Sequence, residues 1–279
     1  MRFVVLVTLT GCTVAANRVA LVPHATPLTT TGQPLGASAA FTAGATNAFD
    51  VAKPQLGNPE VGLEIPSAQA HGDLAFRLTR NFSMSLSYDR GLHQGATPLK
   101  WTQPPVDGGD AEGYGVGFAY SIETDEPGLR VGIGTQLTAW NVPYTEYRAC
   151  ISGCDFDGIP VEYSDVVTGT DDVGGLAIAI VPSYHTGKWT YFGGLTGANH
   201  PTLIEKGIES SLDVGGKVQG GPFNLIAHAG VAVELVDGVS ASAYVAQDLV
   251  RDPVAYRPSV GVLLSVPLGR DPAPDPDGL

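Results

Sequence analysis

The sequence predicts an all-β fold, a transmembrane antiparallel up-and-down β-barrel of about ten strands, with about eight to twelve compatible. The prediction rests on alternating apolar residues, a low charge content and the alternation of short with long connections. In the octet Asn81-Phe-Ser-Met-Ser-Leu-Ser-Tyr88, large apolar residues alternate with Ser. Because successive strand side chains point to opposite faces, the octet has one apolar and one polar face. The pattern recurs to residue 268 with no helical stretch between.

Residues 113–122 indicate which face of these strands meets lipid. One face would hold Gly113, Gly115 and Gly117. Glycines on the inward face of a soluble core would pack nothing and would weaken the strand. The sequence therefore predicts a small-residue lumen and an outer face of large residues in contact with lipid. These large residues are Tyr114, Val116, Phe118, Tyr120 and Ile122.

The composition agrees with a membrane barrel. Of the 279 residues, 15% are charged and 43% are hydrophobic, whereas about 25% are charged in an average soluble protein. A lipid-facing surface combined with a lumen of small residues produces this balance. The net charge of −13 excludes nucleic acid as a partner, because phosphate binding requires clustered Lys and Arg.

The N-terminus resembles a bacterial export signal. Met1-Arg2 is followed by an apolar run over 3–9, too short to span a bilayer but sufficient for a signal peptide. Leu9-Thr-Gly-Cys12 resembles the lipobox of lipoproteins, which implies that 1–11 is a signal peptide and Cys12 the lipidated first residue. Two alternatives stay open: cleavage after Ala16 would remove Cys12, or Cys12 is only a small apolar residue. Residues 12–35 are predicted to form a periplasmic tether.

The strands and connections follow in order. Short turns are predicted at 80–81, 123–128, 185–188 and 236–238, and an intermediate link at 250–258. Long loops are predicted at 48–70, 91–112, 142–173 and 200–221, and a polar tail at 269–279. Alternating turns and loops indicate turns in the periplasm and loops outside the cell. The predicted strands are 36–47, 73–79, 81–88, 113–122, 129–140, 176–184, 189–199, 223–235, 239–249 and 259–268.

Across residues 36–268 the chain resembles bacterial outer-membrane β-barrel proteins in its pattern, without a family motif. The resemblance implies an outer-membrane location in the bacterial cell envelope. Aromatic residues support it, since two aromatic girdles are expected at the membrane interfaces. Beside the periplasmic turns they are Phe82, Tyr120, Tyr184 and Trp189, and at the opposite rim Tyr88 and Tyr114.

The predicted lumen carries few polar side chains among many Gly, Ala and Ser. Such charges can pair across a small barrel and block it, or they can line a narrow pore; both possibilities stay open. Ten strands leave no wide water channel. The predicted lumen residues are Asp73, Arg77, Arg130, Gln136, His228, Glu234 and Asp248.

The longest predicted loop contains Cys150 and Cys154. Export favours a disulfide between them, and without a neighbouring His they are weak as a zinc site. The surrounding carboxylates lack the ligand spacing of an EF-hand. The sequence therefore predicts no metal and no cofactor.

A catalytic site is a minor alternative. His200 lies at the outer rim, with Ser210 and Ser211 near it in sequence, but no spaced motif joins them. His185, in a turn, and His228, in the lumen, are more consistent with structural roles. The sequence predicts no enzyme.

The function predicted first is a structural, adhesive or assembly role, in which acidic loops bind a cell-envelope or extracellular protein and the barrel contacts outer-membrane lipid. The alternative is a narrow pore or small-molecule transporter. A rim-located hydrolase is the third possibility, and a soluble periplasmic β lipoprotein the fourth.

Overall fold

A computed structural model describes residues 13–21, 38–45, 61–64, 68–79, 81–92, 109–152, 163–204, 217–236, 239–249 and 259–267. Within these ranges the structure is entirely β. No helix in them is long and apolar enough to cross a bilayer. The strands are β1 (Thr13–Leu21), β2 (Ser38–Ala45), β3 (Val61–Glu64), β4 (Ala68–Arg77), β5 (Phe82–Leu92), β6 (Ala111–Glu123), β7 (Leu129–Ser152), β8 (Tyr163–Thr186), β9 (Trp189–Ile204), β10 (Lys217–Val236), β11 (Val239–Asp248) and β12 (Ser259–Pro267).

Ten strands close into a ring, with β1 and β3 outside it. From β4 to β12 each strand pairs antiparallel with the next. The ring closes through β2, which lies between β12 and β4. This is an up-and-down barrel without a free edge, and the predicted fold class and count of ten strands are confirmed.

The two faces of the wall follow the alternation in the sequence. On β5, the outward Leu86 is 46% exposed, whereas its inward neighbour Ser87 is 8% exposed. On β6, Tyr114 is 62% exposed, while Gly113 and Gly115 are buried. The predicted orientation of this wall, with large residues outward and small ones inward, is therefore confirmed. The outward belt includes Leu74, Phe76, Leu86, Val116, Ile133, Leu137, Ile178, Ile180, Leu195, Leu225, Val245, Val260, Val262 and Leu264.

Two of the predicted turns depend on glycine in the left-handed region. Gly128 (φ 84°) precedes β7, and Gly187 (φ 57°) separates β8 from β9. At Gly128 a Cβ atom would also lie 2.5 Å from the carbonyl oxygen of His185. Both turns connect their strands within the predicted ranges of 123–128 and 185–188.

The strands are longer than the sequence indicated at the opposite end of the barrel. β7 and β8 are 24 residues each, so both continue into the range 142–173 that was predicted as a loop. Strands also enter 48–70, 91–112 and 200–221. The predicted loops are too long because the apolar alternation stops before the strands do. The ladder hydrogen bonds continue between polar residues.

β1 and β3 lie outside the ring, where the sequence predicted a tether (12–35) and a loop (48–70). β1 pairs antiparallel with the distal part of β7, from Tyr144 to Ser152, and β3 pairs parallel with β1. β6 ends its pairing with β7 at Asn141, so β1 occupies the edge that β6 leaves open. Neither strand has the local alternation or the short hairpin that made the others recognisable.

Candidate functional site in the barrel interior

The inward face of β4 and β5 carries the most polar part of the described lumen. His71 on β4 is the cross-strand partner of Asp89 on β5. The His71 Nδ1 donates a hydrogen bond to Asp89 Oδ1 at 2.7 Å, and its Nε2 lies 3.5 Å from Asp73 Oδ1. Gln69 Nε2 also donates to Asp89 Oδ1, at 3.5 Å. One imidazole thus joins two carboxylates on one wall, and we call His71, Asp73 and Asp89 the acidic triad.

A second polar contact extends this wall toward β7. Gln136 Nε2 donates a hydrogen bond to Ser87 Oγ at 2.7 Å, although β6 lies between their strands. Gly115 on β6 makes the contact possible: a Cβ atom there would lie 2.4 Å from Ser87 Oγ and 3.2 Å from Gln136 Nε2. The glycines of β6 therefore leave room for polar side chains of the neighbouring strands to meet over them.

The facing wall, on β8 to β11, is apolar and aromatic. The Tyr244 ring covers Gly261 on β12, where a Cβ atom would lie 2.2 Å from the ring. The Phe192 ring covers Gly230 in the same way, with a Cβ atom 2.4 Å from the ring. Each ring occupies space that a side chain at the glycine beneath would need. The buried cluster, which we call the apolar wall, consists of Ala179, Val181, Phe192, Ile226, Tyr244 and Ala246.

His228 lies among these apolar residues. It is 5% exposed, its ring centroid is 6.4 Å from that of Phe192, and its Cε1 lies over Gly194. Neither ring nitrogen has a hydrogen-bond partner in the described part of the chain, and the same holds for Ser183 Oγ. These buried polar atoms face the interior unsatisfied by protein.

The ends of the barrel carry further charge pairs. At the end with short turns, Arg130 lies 3.8 Å from Glu123. At the opposite rim, on the outer face, Arg90 Nε donates to Asp110 Oδ2 at 2.7 Å and Tyr88 donates to Glu112 at 3.1 Å.

The structure places the predicted lumen residues at different levels. Asp73, Gln136 and His228 lie in the interior, Arg130 is ion-paired near a turn, and Glu234 is exposed. The side chains of Arg77 and Asp248 lie outside the described set.

Sequence reasoning missed four interior residues because its strands began at Asp73 and ended at Tyr88. Continuing the same alternation by four residues along β4 and by one along β5 would have included three of them. The fourth, Ser87, was in the octet but was counted only as a small residue. The missed residues are Gln69, His71, Ser87 and Asp89.

The residues predicted for aromatic girdles lie toward the ends of their strands. Phe82 is partly buried and stacks on Phe118, with ring centroids 6.1 Å apart. At the other rim, Tyr88 and Tyr114 are in contact, with centroids 5.2 Å apart. Their role as girdles stays a prediction. The girdle residues on the exposed outer face are Tyr88, Tyr114, Tyr120, Tyr184 and Trp189.

Other predicted sites remain untested. Cys150 is part of β7, opposite Val14 of β1, rather than in a loop, while Cys12 and Cys154 lie outside the described residues. The disulfide and the lipidation stay predictions. The side chains of His200, Ser210 and Ser211, proposed for a rim hydrolase, also lie outside the described set. His185 accepts or donates a 2.8 Å hydrogen bond with Thr190 Oγ1 beside the turn. Among the described residues, no group of three or more His, Cys, Asp and Glu side chains is arranged to hold a metal ion.

No protein-family model matches the chain, and no curated protein matches it in sequence. Among solved structures, the KdgM porin is 9% identical over 82% of this chain and 99% of that chain, at a TM-score of 0.36. An outer-membrane channel from Pseudomonas putida F1 is 11% identical over 87% and 99%, at 0.40. LpxR from Salmonella typhimurium is 10% identical over 82% and 99%, at 0.38. At these identities and TM-scores the likeness concerns the fold alone.

The barrel itself carries the assignment to a membrane. A closed ring pairs the strand backbones with one another, as a bilayer requires, and the exposed belt of large apolar residues suits contact with lipid. A polar and glycine-rich interior inside such a belt is the arrangement of outer-membrane barrels. The chain therefore has the fold of a transmembrane β-barrel of the outer-membrane type.

Proposed function

We propose that this barrel is a narrow pore or transporter for small hydrophilic or amphipathic solutes. The proposal rests on buried, inward-facing polar atoms that have no hydrogen-bond partner among the described residues: both ring nitrogens of His228 and Ser183 Oγ. A polar atom removed from water and left unsatisfied costs about 1–3 kcal/mol. Water inside the barrel removes this cost, so the interior is better explained as hydrated than as a dry core.

The polar wall supports the same function. From Gln69 through the acidic triad to the Ser87–Gln136 contact, hydrogen-bonding groups follow one another along the lumen. They give a moving solute successive partners in place of its hydration shell. The barrel has ten strands in its ring, between the side-chain-filled barrels of about eight strands and the open porins of about sixteen, so the passage is narrow.

This proposal replaces the function that the sequence favoured, adhesion or assembly through the loops. That role depends on connections between strands outside the described residues, and no described contact supports it.

The test is conductance in planar bilayers. The purified protein should insert and produce single-channel steps, and proteoliposomes should swell in small sugars or amino acids. A cysteine at the inward Ser85, in a background lacking the three native Cys, should be modified by a charged thiol reagent with a fall in conductance. The same reagent at Leu86→Cys, which faces outward, should leave conductance unchanged.

Insertion must be shown independently of conductance. A folded band that migrates faster than the boiled protein, together with protease resistance of the barrel in vesicles, establishes it. If folded, inserted protein gives neither single-channel steps nor swelling, the pore is disproved, and a role of the loops in adhesion or assembly is favoured instead.

A further inference from the structure

We propose that the lumen selects small organic cations, which place their charge on the acidic triad and their apolar body on the apolar wall. The inference rests on the proposed pore function and adds the class of solute. Primary amines and quaternary ammonium ions combine a positive charge with an apolar body, and so they match both walls.

The acidic triad places negative charge on one wall of the described lumen. With both carboxylates ionised, the group carries a net negative charge whether or not His71 is protonated. Asp89 is 4% exposed, so its charge is screened less than that of a carboxylate on the outer rim. At the end of the barrel with short turns, Arg130 lies 3.8 Å from Glu123, so the positive charge of Arg130 is balanced by a carboxylate. A cation passing this level is attracted and an anion is repelled.

The apolar wall provides the second half of the site. Phe192 and Tyr244 cover Gly230 and Gly261, so two aromatic rings line this wall. A ring face carries partial negative charge and attracts an ammonium group within about 6 Å. Inorganic cations such as K⁺ gain less from such a wall, because they give up more hydration to touch it.

The two walls meet at one level of the barrel. Tyr244 on β11 pairs with Gly261 on β12, which in turn pairs with Gly44 on β2. Gly44 pairs with Gln69 on β4, and the Gln69 amide donates a hydrogen bond to Asp89. A small solute beside Asp89 is therefore also close to the apolar wall. The polar and the apolar wall therefore lie at the same depth of the lumen.

His228 is a second observation that indicates a ligand on this wall. It is buried and unpartnered at both nitrogens in the described structure, and its ring stands 6.4 Å from Phe192. A neutral imidazole has one acceptor nitrogen and one donor. The N–H of a primary ammonium group can donate to the acceptor while the carbon skeleton contacts Phe192; a quaternary ammonium ion, which has no N–H, contacts the aromatic ring alone.

The experiment measures ion selectivity in planar bilayers with the full-length protein. Under a KCl gradient, the reversal potential should indicate K⁺ preferred over Cl⁻ by at least about fivefold, and Asp89→Asn should lower this ratio about threefold or more. Tetramethylammonium should enter and reduce K⁺ current in the millimolar range. Phe192→Leu should weaken this block about threefold to tenfold and leave the preference for K⁺ over Cl⁻ unchanged.

The controls separate the two proposals. Asp110→Asn removes an acidic group on the outer rim and should alter neither the K⁺ preference nor the block. If Phe192→Leu does not fold, Tyr244→Leu tests the same wall. Absence of any channel would disprove the pore itself. Channels without cation preference, or block that Phe192→Leu and Tyr244→Leu both leave intact, would overturn the inference while the pore stands.

Discussion

The imidazole of His71 and the carboxylate of Asp89 form a 2.7 Å hydrogen bond directly across the β4–β5 ladder. The other ring nitrogen lies 3.5 Å from Asp73, so one side chain contacts two carboxylates that would otherwise repel each other. Such a bridge holds the acidic groups at fixed positions along one wall of the lumen. It makes His71 the residue whose loss should change both the stability of the barrel and the charge of its interior.

His71→Ala should lower the free energy of unfolding by about 1–3 kcal/mol, because it leaves hydrogen-bonded carboxylates unpaired. Urea titration in detergent, followed by Trp fluorescence, measures the loss. Adding Asp89→Asn should recover part of it, since the remaining charge is removed. Strictly additive effects of the two substitutions would show that His71 and Asp89 are not energetically coupled.

Gly113→Ala should destabilise the barrel by about 1–3 kcal/mol through overpacking. An added Cβ would lie 2.7 Å from the Trp140 ring, which covers Gly113 across the β6–β7 ladder. Gly174→Ala on β8 is the matched control, because nothing lies within 4 Å of its added Cβ. Urea midpoints should fall for Gly113→Ala and stay nearly constant for Gly174→Ala. Equal midpoints would mean that the Trp140 ring moves aside without cost.

The wall of the barrel could be predicted from sequence because its physics is local. The octet 81–88 alternates Phe, Met, Leu and Tyr with Ser, and each large residue at an even position faces lipid without needing any distant partner. A short turn, such as the one with Gly187 at positive φ, holds the strand after it beside the strand before it, so the two strands pair. Recognising ten strands of this kind was therefore enough to predict the number of strands in the barrel and the pairing of sequence neighbours.

The interior was harder to predict, since its contacts join residues far apart. Gln136 and Ser87 meet across a strand that lies between them, and only the absence of a side chain at Gly115 allows it. β1 pairs with the distal end of β7, more than a hundred residues away, with no turn to indicate it. Tyr244 on β11 and Gln69 on β4 come onto nearby strands only when β2 closes the ring between β12 and β4. Which residues face one another inside the closed ring carries no local signal in the sequence.

Arg90→Ala should leave the urea midpoint nearly unchanged, because exposed ion pairs contribute little to stability. Arg90 contacts Asp110 at 2.7 Å on the outer rim but is 47% exposed. Whatever effect remains should disappear in molar salt, where the Debye length is about 3 Å. Urea midpoints at low and high salt provide the measurement. A loss that persists in high salt would show that Arg90 stabilises the rim by packing rather than by charge.

Leu86→Lys should impair insertion, while Ser85→Lys should be tolerated better. Leu86 is 46% exposed on the outer face, where Lys near the bilayer midplane costs about 2–4 kcal/mol. Ser85 is on the opposite face of the same strand, within the lumen that carries the acidic triad, and a Lys there can approach carboxylates and water. Folding into vesicles, followed by comparison of unboiled and boiled samples on detergent gels, gives the fraction inserted for each variant. If Ser85→Lys blocked folding and Leu86→Lys did not, the large residues of β5 would pack in a core and the small ones would face outward, and the barrel would not be a membrane protein.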